Sequence, residues 1–135
     1  MAEEVSDPTP AIRSYNSVEE LLLDKDLASL GDSYVNFVYS LAMSQKHGRP
    51  TGAKVSNQIL ARAVEASGLR ALLPHRVDKH ARGNAAEALL VFAWLQNTME
   101  MDECIKVLSK KDPVEAFVTL LRQILNRLDL HHEHK

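Results

Sequence analysis

Apolar side chains recur every three or four residues along most of this chain, and the breaks between runs fall at glycines, prolines and small polar residues. That period is the mark of amphipathic helices. Leu27, Leu30, Tyr34, Val38 and Leu41, widened by Val35 and Ala42, predict a helix from about Asp26 to Gln45, stopped by Gly48 and Pro50. Upstream, Ser17-Val18-Glu19-Glu20 has the spacing of a capping box and opens a short helix through Leu21–Leu23. A further helix is predicted from about Lys54 to Ser67, ended by Gly68, with one more turn at Leu69–Leu73 before Pro74. Residues 75–83 read as a basic connector, followed by a strongly apolar helix from about Asn84 to Thr98. A helix apolar nearly all round belongs at the centre of a bundle. A modest helix near Asp102–Lys110 comes next, then a last one from Val114 to about Leu128, with Asp112 as N-cap, Pro113 at the first turn and Glu115 behind it. No stretch alternates with the period of a strand. The pattern predicts one all-α domain over residues 16–130, preceded by a flexible N-terminal arm (1–15, with Pro8 and Pro10) and followed by a frayed tail (131–135).

Composition narrows this picture. With one Trp, three Tyr and three Phe, the core must be built from Leu, Ala and Val, which suits packed helices better than a sandwich of strands. Trp94, Phe92 and Tyr34 fall at core spacing and read as packing residues. A domain of 135 residues has limited apolar area to bury, and dimerisation is a natural way to gain more. Cys104 is the only cysteine, which excludes an internal disulfide and a cysteine-rich zinc site and fits a reducing cytoplasm. No run approaches the roughly 18 apolar residues of a membrane span. The acidic start, Met1 to Val5, lacks the basic and apolar regions of a signal peptide. The expectation is a cytoplasmic protein with no membrane partner.

The net charge of −2 hides an uneven distribution. Residues 46–82 carry eight basic side chains (Lys46, Arg49, Lys54, Arg62, Arg70, Arg76, Lys79 and Arg82) against Glu65 and Asp78. Such a local positive face can contact phosphates, because counterion release depends on the charges in contact and not on the global balance; a solvated surface is the plainer alternative. His75 and His80 read as polar surface, and the His131-His132-Glu133-His134 run as a terminus that binds transition metals only adventitiously.

Two acids stand out. Asp32 follows Gly31 within its helix, and residues 33–45 after it carry no charge. Glu87 is the only charge between Ala85 and Leu95. An anion on an apolar face is costly unless it is paired, capped or bound to a cation. Gly31 lowers helix propensity by about 1 kcal/mol relative to Ala, and its missing Cβ would let a second helix approach beside Asp32. Taken on their own, the residues leave structural pairing and metal binding both open.

Leu30-Gly31-Asp32-Ser33 ahead of an apolar helix resembles the first motif of the ribonuclease III family, and Glu87-Ala88-Leu89-Leu90 is similar to its second. The resemblance spans roughly residues 17–98. It implies the helical bundle of a ribonuclease III endonuclease domain and an Mg²⁺-dependent endoribonuclease, with Mn²⁺ as a substitute, cleaving double-stranded RNA by metal-activated water attack, with a role in RNA processing. Asp32 and Glu87 would be the catalytic, metal-binding pair, with Asn84 as a further metal ligand. Magnesium takes hard oxygen ligands, so no Cys/His cluster is required. Lys54, which opens the predicted third helix, and Lys79, His80 and Arg82 on the connector before Glu87 are the expected RNA contacts, with Arg82-Gly83-Asn84 forming a turn against the RNA or capping the helix. Family members act as homodimers, each subunit cutting one strand.

The chain also departs from the family pattern. Where most members carry Glu four and seven residues before the motif Asp, this sequence has Ala28 and Lys25. Asn84 stands where Asp is usual, and Ser29 where an aromatic packs the dimer. On this reading no double-stranded-RNA-binding domain is expected to follow. The sequence is most similar to the short, Mini-III-type members, and the lost carboxylates imply weaker metal affinity. The alternative is a catalytically impaired relative acting as an RNA-binding or scaffold dimer; a helical interaction module without nucleic acid is weaker, given the positive middle segment.

Overall fold

A computed structural model describes residues 14–133, with side chains described as far as residue 128. The described residues form six α-helices and no strand: α1 (Val18–Leu22), α2 (Lys25–His47), α3 (Asn57–Ser67), α4 (Lys79–Leu95), α5 (Met101–Lys110) and α6 (Pro113–Glu133), with a 3₁₀ turn at Leu69–Leu72 after α3. The all-α expectation is met. The expected arm lies mostly outside the described residues, but Tyr15 belongs to the domain: its hydroxyl donates to Asp24 Oδ2 (2.6 Å) and its ring meets Phe92 edge-on, centroids 5.9 Å apart.

Local chemistry explains most boundaries. Ser17 Oγ accepts from Glu20 N, and the Glu20 carboxylate reaches back to Asn16 N, a capping box displaced by one residue. Gly48 and Gly68 close α2 and α3 with φ of 71° and 90°, left-handed conformations that cost a residue without Cβ little. α3 begins three residues later than the pattern suggested, because Ser56 is the residue that caps it, accepting from Ile59 N. The larger correction is at α4. Asp78 accepts from Ala81 N and starts the helix at Lys79, so most of the expected connector is helix. Lys79, His80 and Arg82 therefore sit on α4 itself, and Arg82-Gly83-Asn84 is neither a turn nor a cap. α4 stops at Leu95, with Asn97 in the left-handed region (φ 61°) and Thr98 N bonded back to Ala93 O. α6 continues beyond Leu128 through His131–Glu133, since no glycine or proline interrupts it.

α4 is the hub of the bundle. Gly83, Ala85, Ala86 and every residue from Glu87 to Val91 are buried, and α1, α2, α3 and α6 all pack on it. α5 joins through α2 and α6, and α3 through α6. Small residues along α4 let its neighbours come close, while Leu60, Leu69, Leu108, Phe117, Leu120, Leu121 and Ile124 fill the remaining space. Tyr34 is buried as expected, but Trp94 is not a core residue: it stacks on Tyr34 (centroids 5.1 Å) and leaves 37% of itself in solvent. No helix among the described residues is long and apolar enough to cross a membrane.

Candidate active site

The α2–α4 crossing sets the site. A Cβ at Gly31 would lie 2.5 Å from the Glu87 carbonyl carbon and 3.0 Å from its Cβ, so the two helices touch there backbone to backbone. Only glycine permits that approach. It places Asp32, the next residue on α2, with its carboxyl in hydrogen-bonding contact with that of Glu87. Asp32 is exposed, while Glu87 is 6% exposed.

Burial pushes the Glu87 carboxyl up to about 8, helped by the hydrogen bond and like charge of Asp32, while the Lys54 ammonium acts in the opposite sense. At neutral pH the Glu87 carboxyl is therefore mostly protonated. A charge on Glu87 in this buried position is costly unless a cation compensates it.

A line of polar residues along α2 continues from Asp32. Asn36 Nδ2 donates to Asp32 Oδ1 (3.0 Å), and Asn36 Oδ1 accepts from Val55 N (2.8 Å). One turn on, the Ser40 hydroxyl exchanges 2.9 Å hydrogen bonds with both backbone groups of Ala53. A further turn on, Ser44 Oγ accepts from Thr51 N (2.8 Å). These three side chains clamp the segment joining α2 to α3, which has no regular structure of its own. Lys54 lies in that clamped segment, exposed and within electrostatic reach of Glu87; it does not open a helix, as expected from the sequence, because the cap is Ser56.

On α4, His80, Asn84 and Glu87 are spaced four and three apart and share one face. Asn84 is half-buried one turn before Glu87. His80 is exposed, and its Nδ1 accepts from Asn57 Nδ2 at 2.9 Å. Lys79 is exposed at the first residue of the helix. Arg82 is turned about 140° from Glu87 in helical projection. Its guanidinium pairs with Glu65 of α3, which Arg70 also approaches at 3.9 Å, and its buried Nε has no partner among the described residues. The fold thus gathers Asp32, Glu87, Lys54 and the face bearing Asn84 and His80, and directs Arg82 elsewhere.

Asn36 and Asn57 escaped sequence reasoning; an amide four residues after Asp32, in a stretch without charge, was the available signal for Asn36. Among the described residues no three His, Cys, Asp or Glu side chains cluster as a metal site. Ala28, at a position where the family has Glu, is buried in the core.

The family profile described as Ribonuclease III matches residues 25–128, from the first residue of α2 to the last described side chain of α6. The chain belongs to the ribonuclease III family. Its endoribonuclease character in general follows from that membership, and every candidate residue named above falls inside the matched range. No curated protein matches the chain.

Proposed function

We infer that this ribonuclease III domain, extending over residues 16–130, is an Mg²⁺-dependent endoribonuclease that cleaves double-stranded RNA, with Asp32 and Glu87 as its catalytic, metal-holding carboxylates. The observation that carries this reading is the carboxyl pair itself: two acids brought together by a backbone contact that only Gly31 allows, one of them buried. A structural ion pair would set a cation against each acid, whereas here acid meets acid.

The donor set fits a hard divalent ion. Two carboxylates and the Asn84 amide oxygen one turn away are all oxygen donors, and Mg²⁺ commonly binds one or two carboxylates and keeps several waters; Mn²⁺ would substitute. When bound, such an ion activates water and stabilises charge on the scissile phosphate. Lys54, held beside the pair, supplies positive charge to the phosphate, and Lys79 and His80 extend the contact along α4. Arg82 contributes by steadying α4 against α3 through Glu65 and by adding to the field.

Leu30 and Phe37 are seven apart on α2, project about 20° from one another, and are 46% and 55% exposed. Tyr34 lies between them with half-exposed Trp94 stacked on it. This apolar face is assigned to the homodimer. The working setting is RNA processing in the cytoplasm.

The test is cleavage of duplex RNA in Mg²⁺ and in EDTA by the wild type, Asp32→Ala and Glu87→Ala. Cleavage in Mg²⁺ that both substitutions abolish supports the assignment; cleavage that survives them removes it. A second reading, a binding or scaffold dimer with impaired catalysis, is favoured by the missing third acid among the described residues. Duplex binding without cleavage at any Mg²⁺ concentration would select it.

A further inference from the structure

Asp32 is an exposed side chain on a helix whose carboxyl meets that of Glu87, and its Oδ1 is held as well, at 3.0 Å, by the amide of Asn36 one turn on. The same amide group uses its other end, Oδ1, to hold the Val55 N–H at 2.8 Å. Val55 is buried, so its backbone is a fixed point, and Lys54 is its immediate neighbour. A side-chain amide can donate to a carboxylate from its nitrogen and accept from a backbone N–H at its oxygen, two separate ends that reach two separate partners. Aspartate here would repel Asp32, and serine is too short to span both partners. Ser40 and Ser44 anchor the same segment without touching Asp32, so they secure the loop and only Asn36 links loop and acid.

We propose that Asn36 is a positioning residue for the cleavage reaction, setting the Asp32 carboxylate and the Lys54 segment in one fixed relation through the two ends of its amide. This deepens the reading of Asp32 and Glu87 as metal-holding acids and rests on it. Ordering a ligand before the ion arrives removes an entropic cost from binding, and it sets where charge is presented to the phosphate.

The experiment compares full-length wild type, Asn36→Ala and Ser40→Ala, each first checked by circular dichroism for native helix content. Mn²⁺ binding is measured by calorimetry, and kcat and KM on a duplex RNA in saturating Mg²⁺. Asn36→Ala is expected to weaken Mn²⁺ binding about tenfold, within the range for a residue that orients a metal ligand, and to lower kcat. Ser40→Ala loosens only the loop, so it is expected to raise KM and leave Mn²⁺ affinity as in the wild type. The proposal is overturned if Asn36→Ala binds Mn²⁺ and turns over as the wild type does, or if Ser40→Ala reproduces its losses. Asp32→Asn and Glu87→Gln run alongside: if both bind Mn²⁺ normally, the metal assignment itself falls and takes the proposal with it. If they lose the ion while Asn36→Ala keeps it, the proposal alone fails.

Discussion

Gly31 of α2 rests on the backbone of Glu87 of α4, so the candidate active site is fixed where two helices touch with nothing between them. Alanine at position 31 would gain about 1 kcal/mol of helix propensity and lose more to overlap with a backbone that cannot move aside. Gly31→Ala is expected to destabilise the protein by about 2 kcal/mol net in urea unfolding, the difference between those two effects. Gly52, whose added Cβ would meet nothing within 4 Å, is the matched control, and Gly52→Ala should leave the midpoint nearly unchanged. Equal effects at the two sites would contradict the close contact.

The raised Glu87 carboxyl makes metal-free stability fall with rising pH. Below its ordinary 4.5 the group is protonated in both folded and unfolded chains and contributes no pH dependence. Between there and about 8 the unfolded chain releases a proton that the folded chain keeps, so stability declines across that window and levels off above it. The loss amounts to a few kcal/mol at most. Glu87→Gln can still donate to Asp32 and carries no charge; in EDTA it should be more stable than the wild type at pH 8.5 and similar at pH 4.5. Thermal melts at both values check this, and a wild type that gains stability from pH 5 to 8 would be the opposite result.

The proposed dimer through the Leu30–Phe37 face would make that face sensitive to charge. Burying one phenylalanine is worth about 1.5–3 kcal/mol, so Phe37→Glu should raise the dimer dissociation constant at least tenfold, since 1.4 kcal/mol is a factor of ten. Sedimentation at micromolar concentration would show the shift, with helix content unchanged because Phe37 is outside the core. An unaltered association state would place the interface elsewhere.

Lys79 and Arg82 should separate. Lys79 is exposed and free of any ion pair among the described residues, so Lys79→Ala is expected to weaken duplex binding and reduce the salt slope by about one contact. Arg82 is engaged with Glu65, and Arg82→Ala should cost up to about 1 kcal/mol of stability, the scale of a solvent-screened ion pair, with a smaller change in salt slope. Binding titrations at several salt concentrations distinguish the two.

Much of this was legible in the sequence, and the exceptions have physical reasons. Gly48 and Gly68 announced their helix ends because left-handed closure favours glycine, and Glu87 drew attention because a lone charge in an apolar helix demands an explanation. Gly31 even signalled the close approach of another helix, though not which one, since periodicity carries no information about partners. The start of α4 was hidden by composition: Lys79, His80 and Arg82 resemble a solvated loop, and a single capping oxygen on Asp78 outweighs that impression. Trp94 had core spacing but lies near the end of α4, where the bundle no longer encloses it. Asn36, Ser40 and Ser44 looked like ordinary polar interruptions because their partners are backbone groups, which every residue has and no sequence pattern marks.

That clamp has a metric basis. Stepping four residues along a helix advances about 6 Å, and stepping two along an extended chain advances about 6.6 Å. Residues 36, 40 and 44 therefore keep pace with 55, 53 and 51, counted in the opposite direction. The helix serves the segment as a neighbouring strand would, and alternation decides what is left over: the backbone groups of 51, 53 and 55 are bound to it, and Gly52 and Lys54 are left exposed. Deleting or inserting a single residue between Thr51 and Val55 would invert that parity, bringing the backbone of Lys54 to the clamp in place of its bonded neighbours. Length, more than identity, is what this short connection has to conserve.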